Sequence, residues 1–376
     1  MQPTDSMNDR LRSALKEMDG LFHGFFEWLE GQYDPEHGAF YYAQSSKASD
    51  QFIPDIESTA QALNLLARCQ LFGALDDTMK QRMITFFQQK QEPSTGYFYD
   101  ADPLMREDEV MVARAIGYSL GALWKLGAKP LYPLPNDRQA SPDYIRTPDT
   151  YVGWLQSVEL SNSWRGCDRL CTSAAYLAQM PQADRKPYLD AALRYFEALQ
   201  DPESGLWGEG SWYVKVSGTF KLHTFYERFR VPIPRVREMY NSLLHCLRKE
   251  TAVDMCYIRN PIHLLYSMRR STPLDELLEI IEITVYNMSR LKRKDGGFSR
   301  ELDHSPPAPN VAQVKPGEFY PDMPKPVRLG LGKVEGDMNA GTQAILIRHL
   351  CYELAGIDAP PLSSPPDLFR SYTHAT

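Results

Sequence analysis

The stretch "KLHTFY", residues 221–226, places a histidine and a tyrosine three positions apart, and Lys221 and Thr224 likewise. On a helix each pair shares a face, the two faces differ, and only one can point inward. Beside a uronate carboxylate, inward-facing His223 and Tyr226 would supply the base and the acid of a β-elimination; a tyrosine packed against a neighbouring helix and a histidine hydrogen-bonded to backbone is the alternative reading. Arg165, Lys215 or Arg259 would neutralise that carboxylate and favour loss of the adjacent proton. Paired carboxylates offer a second chemistry, hydrolysis with one group protonated and one ionised. Glu57, Asp168 and Asp337 occupy comparable helix-start positions suited to it. Helix capping accounts for Asp55 and Asp337 equally well, and Asp168 followed by Arg169 reads equally as a structural ion pair. The candidate catalytic set is therefore His223, Tyr226, Glu57 and Asp168. The candidate binding set is Arg165, Lys215, Lys221, Arg259, Asn260, Trp207, Trp212 and Asn339, with no metal and no cofactor.

These residues must be held by helices. Apolar residues at helical spacing, bounded by Gly, Pro, Asp and Asn, mark about twelve of them. The readings run 8–32, 55–72, 76–91, 107–126, 148–158, 166–180, 186–200, 217–230, 234–250, 260–270, 274–294 and 336–355. Long helices with one charged face, such as "LDELLEIIEITVYNMSRLKRK", alternate with helices rich in small residues, such as "GCDRLCTSAAYLAQM" and "NAGTQAILIRHL". Charged faces suit an outer layer, and small residues permit close approach in an inner one. Six such hairpins predict an all-α (α/α)6 toroid in which inner helices surround a funnel. One punctuation recurs between helices: "GQYDPEHGAFYYA", "KQEPSTGYFYDAD", "LQDPESGLWGEGS" and "LKRKDGGFSRE". Each reverses the chain at a glycine and then places an aromatic residue. Most of these aromatics should be packing plugs, with Trp207 and Trp212 the ones best suited to a cleft.

The chain is expected to be a single domain over 1–358 with a tail at 359–376. Pro-rich loops at 127–147 and 295–335 interrupt it, and the second, through Phe319 and Tyr320, would form a lid. "GLGKVEGD" lacks the spacing and preceding strand of a phosphate loop. A formal charge of −7 with interspersed signs argues against nucleic acid, and no apolar run reaches membrane-spanning length. The first twenty residues lack a signal-peptide pattern, which predicts a cytoplasmic protein. The six cysteines are scattered and should be reduced and mostly buried.

The units "GAFYYAQSSKASDQFIPDIESTAQALNLL" and "GLWGEGSWYVKVSGTFKLHTFY" resemble the repeat of the terpenoid cyclase and protein prenyltransferase toroid superfamily. Toroidal polysaccharide lyases, which use His and Tyr as base and acid, and six-hairpin glycosidases are similar in architecture. The likeness covers the chain from Phe22 to Ala355 and implies the toroid more than a chemistry. A class II cyclase would bring a DxDD run; this chain has only Asp100 and Asp102, in a turn. "VDMCY" is similar to the segment giving prenyltransferases two zinc ligands, which would fall on Asp254 and Cys256. The histidine expected as third ligand is replaced around Asn339 and Ala340. The polar ring at the inner-helix starts instead favours a carbohydrate-active lyase or glycoside hydrolase acting on an anionic, uronate-type oligosaccharide. An isoprenoid-active enzyme or a non-catalytic ligand-binding toroid are the alternatives.

Overall fold

A computed structural model describes residues 3–138, 141–312, 314 and 323–372. The helices in chain order are α1 Pro3–Gly20, α2 Phe25–Gly31, α3 Gln44–Lys47, α4 Ile56–Arg68, α5 Asp77–Gln89, α6 Glu109–Lys125 and α7 Pro148–Ser157. They continue with α8 Ser163–Leu177, α9 Gln182–Leu199, α10 Trp212–Phe229, α11 Val236–Lys249, α12 Met255–Ser267, α13 Leu274–Leu291 and α14 Met338–Ala355. The only sheet among the described residues pairs the two-residue strands β1 Tyr33–Asp34 and β2 Ala39–Phe40. The fold class is thus all-α, with the alternating hairpin order of an (α/α)6 toroid.

The chain forms two compact units. One comprises Met1–Phe86, Lys249–Ala312 and Arg328–Thr376; the other comprises Phe87–Arg248 and Gln313–Val327. In the first unit α14 packs between α4 and α12, and α1 packs on α13. In the second α8 packs between α6 and α10, and α7 packs on α9. Each unit therefore sets three inner helices side by side, with α1 and α13 behind them in the first and α9 in the second.

The recurring punctuation forms one structure repeatedly. Tyr33 pairs with Phe40, Gln91 with Phe98 and Lys292 with Phe298 as short antiparallel bridges. The Asp201 N–H closes the fourth turn on Leu206 O at 3.0 Å. Gly38, Gly96, Gly205 and Gly296 all take positive φ, a backbone region that excludes most side chains. The aromatic residues that follow, Phe40, Phe98, Trp207 and Phe298, are all fully buried. They plug the core beneath each turn, so Trp207 is not a cleft residue.

Several boundaries differ from the periodicity reading, and capping explains most of the shifts. The helix read as 8–32 is broken between α1 and α2, where Gly24 adopts φ 74 and its carbonyl lies where a Cβ on Gly296 would fall. α8 and α12 begin earlier than read because Asn162 and Asp254 cap them. Pro261 then falls inside α12. The loop at 127–147 is pinned to the second turn, where Gln91 Nε2 donates to Gly96 O and to Tyr132 O. The proposed lid residues Phe319 and Tyr320 lie outside the described residues. In the tail, Leu368 and Phe369 are buried, and the Phe369 ring meets those of Tyr33 and Phe40 edge-on.

Candidate functional site

Inner helices begin on short polar caps. Asp55, Asp108, Asn162, Asp254 and Asp337 each accept a backbone N–H in the first turn of the helix they precede, while Ser211 precedes α10 without such a bond. Such a cap satisfies one of the donors that a helix start leaves open. Two caps are also tied to buried arginines. Arg165 Nη2 lies 3.1 Å from Asp108 Oδ1, and Arg300 Nε lies 3.1 Å from both oxygens of Asp254. Arg165 is 2 % exposed; it joins the start of α8 to that of α6 and presents no surface to a substrate. Asp254 is likewise committed to Arg300 and to the Cys256 N–H at 2.6 Å, so the segment resembling a zinc site is built as a cap.

The cap Asp337 has three hydrogen-bond donors around its carboxylate. It accepts from Ala340 N–H at 2.8 Å, Arg300 N–H at 2.6 Å and Ser305 Oγ at 2.7 Å. Burial pushes its carboxyl up, these bonds and the Arg300 charge pull it back, and it comes to rest at about 6.

Beyond the caps, one register is polar throughout. Six residues past each cap stand Gln61, Arg114, Asp168, Ser217, Asn260 and Gln343. In the second unit this layer is ionic. Asp168 pairs with Arg114 from α6 and, at 3.0 Å, with Lys221 from α10, joining three inner helices. Burial would raise its carboxyl, but Arg114, Lys221 and Arg165 outweigh that and hold it at about 2. Asp168 is therefore a fixed anion and not a proton donor at neutral pH.

Next to it Glu109 is held by Arg169 Nε at 3.1 Å and Thr172 Oγ1 at 3.1 Å. Its side chain is 27 % exposed and that of Arg169 is 37 % exposed, so both are open to a ligand. Tyr144, stacked on Trp154 with ring centroids 4.1 Å apart, stands beside this carboxylate. Burial and then the Glu109 charge drive its phenol well above the ordinary tyrosine range. Arg114 does not stand among the candidate site residues read from the sequence. The legible signal was the register of Arg114, one helical repeat with Gln61 and Asp168.

In the first unit the equivalent layer is made of amides. Asn339 Oδ1 accepts from Arg300 Nη1 at 3.0 Å and from Gln343 Nε2 at 2.7 Å, while its Nδ2 reaches Glu57 Oε1 at 3.3 Å. Gln61 Nε2 donates to the same Glu57 oxygen at 2.9 Å. Glu57 and Asn339 are thus brought together, linking α4 and α14. On α12 Asn260 is buried and Arg259 half-buried.

The pair His223 and Tyr226 is placed differently from the elimination reading. Lys221 takes the face of α10 that meets Asp168, and the 100° helical step turns His223 and Tyr226 away from it. Tyr226 is buried with its ring 6.3 Å from Phe196 on α9 and 6.0 Å from Trp207, and burial pushes its phenol up. His223 is buried against Phe220, ring centroids 6.0 Å apart. Trp207 donates Nε1–H to Phe196 O at 2.7 Å. Trp212 is half-buried, between the His245 ring at 4.7 Å and Lys215 Nζ at 4.4 Å, which sets this pair of candidates apart from the Asp168 layer.

No family model matches the chain, and no curated protein matches it. Solved structures similar to it include a variant of the type II terpene cyclase MstE from Scytonema in complex with geranylgeranyl dihydroxybenzoate. The identity is 14%, the coverage 93% of this chain and 99% of the other, and the TM-score 0.49. A protein from Actinoplanes aligns at 14% identity over 92% of this chain and 99% of its own, with a TM-score of 0.48. The glucoamylase of Saccharomycopsis fibuligera aligns at 9% identity over 93% and 96%, with a TM-score of 0.45. Among the described residues no helix is long and apolar enough to cross a membrane.

Proposed function

We propose that the protein is a carbohydrate-active enzyme whose substrate is an anionic, polyhydroxylated sugar. The supporting observation is the polar register six residues past every inner-helix cap, with Gln61, Arg114, Asp168, Ser217, Asn260 and Gln343 in equivalent places. A hydrocarbon substrate calls for apolar walls, whereas hydroxyls and carboxylates need hydrogen-bond partners at many points. On the second unit's inner helices, Arg114, Arg169 and Lys221 bind the acidic substituents. Glu109, partly exposed and oriented by Arg169 and Thr172, transfers the proton. Asp168 is a positioning residue that holds Arg114 and Lys221 in place.

The test is turnover of uronate oligosaccharides by the purified full chain. Glu109→Gln should lower the rate by on the order of 10²–10⁴ with little change in binding. Arg169→Gln should chiefly weaken binding, and Tyr226→Phe should leave turnover within about twofold of the parent if its ring serves packing alone. Absence of any saturable uronate binding, or turnover of a polyprenyl substrate in its place, would overturn the reading.

A further inference from the structure

An open groove of about 830 Å³ lies in the second unit, away from the inner-helix layer, between the beginning of α9 and the end of α10. Its charged lining is strongly one-sided: Arg185 and Lys186 from α9, Arg228 and Arg230 from α10, and a single carboxylate, Asp190. Asp190 is engaged with Lys186 at 2.5 Å. Arg185 is held in place by Phe229, whose ring lies 5.3 Å from the guanidinium carbon. Two arginines at the end of α10 answer the negative end of that helix. That effect does not account for Arg185 and Lys186, which sit near the positive end of α9, where a cation is unfavourable. Cations gathered there from both helices, in a protein carrying a net charge of −7, are held together against their mutual repulsion.

We propose that this groove is a binding site for a multiply charged tetrahedral oxyanion, a phosphate or sulfate ester, distinct from the inner-helix face. Arginine forks match such groups with paired hydrogen bonds, and the volume falls in the range of small-ligand sites. Leu189 and Phe229 give the ligand's uncharged part an apolar surface.

The experiment is calorimetric titration of the full chain at low ionic strength with pyrophosphate, a sulfated disaccharide and galacturonate. Pyrophosphate or the sulfated sugar should bind one to one, and the tighter of the two identifies the ester. Raising the salt should weaken binding. The double variant Arg228→Gln with Arg230→Gln should lower affinity at least tenfold, and Arg185→Gln with Lys186→Gln, on the other helix, should do the same independently. Glu109→Gln should leave this binding unchanged, which separates the site from the proposed enzymatic one. Lack of saturable oxyanion binding, galacturonate binding as tightly as pyrophosphate, or affinity unmoved by either folded double variant would overturn the proposal.

Discussion

Two buried aspartates respond to pH in opposite directions. Asp168 is held at about 2, below the ordinary aspartate value of 3.8. Its contribution to stability is complete above about pH 4 and is lost as the pH falls toward 2. Asp337 is raised to about 6, so the folded state favours its protonated form. That contribution is complete below about pH 4 and is lost as the pH rises through 6. Melting temperature should therefore climb between pH 2 and 4 and fall between 4 and 6. Asp168→Asn leaves Arg114 and Lys221 facing an uncharged group and should cost about 2–4 kcal/mol at pH 7, flattening the acid limb of a pH series. Asp337→Asn should flatten the limb between pH 4 and 6; an unchanged slope there would show that another group titrates in that window.

At the scale of elements, the turn that precedes α10 is the most tightly built. Gly208 holds φ 85, and a Cβ there would overlap the Ser163 side chain at the start of α8. Ser163 Oγ in turn donates to Glu209 O at 2.9 Å and Val214 O at 3.1 Å, so the neighbour cannot move aside cheaply. Gly208→Ala should destabilise by about 2–4 kcal/mol from strain and overpacking together, measured by urea unfolding. A loss below 0.5 kcal/mol would mean that the turn relaxes. Much of this architecture was readable in advance. The glycine-aromatic punctuation and the small-residue alternation are local, and they reappear as the turns and the inner helices. The starts of α8 and α12 differ from the periodicity reading because capping by Asn162 and Asp254 outweighs hydrophobic periodicity. The clamps on the turn carbonyls were not legible: Gln91, Gln200 and Lys292 each donate to the carbonyl of a turn glycine, Gly96, Gly205 and Gly296. Their partners become identifiable only when the turn is closed. The choice between the two faces of α10 was similarly hidden, because it depends on Asp168 and Phe196, which approach from different helices.

For the molecule as a whole, the distribution of cysteines ties packing to chemistry. All six are free; Cys167, Cys246, Cys256 and Cys351 are buried, while Cys69 and Cys171 are half-buried. Burial pushes the Cys69 thiol up to about 11, the Arg348 and Arg68 charges pulling only weakly against it. Burial also pushes Cys167 and Cys351 up, and Cys171 well up. Reaction with a thiol reagent requires the thiolate, so even the half-buried pair should react slowly in the folded state. No disulfide constrains the unfolded chain among the described residues, and stability must come from packing of the helices themselves. Two consequences are measurable together. Without any reductant, titration in denaturant should reveal six thiols, and at neutral pH the native protein should expose no more than two, at rates well below that of a free thiol. Adding reductant should leave the melting temperature unchanged within about 1 °C, since a lost native disulfide would cost about 2–5 kcal/mol. Fewer than six thiols on unfolding, or a melting temperature that drops with reductant, would show that a crosslink carries part of the stability attributed here to the helices.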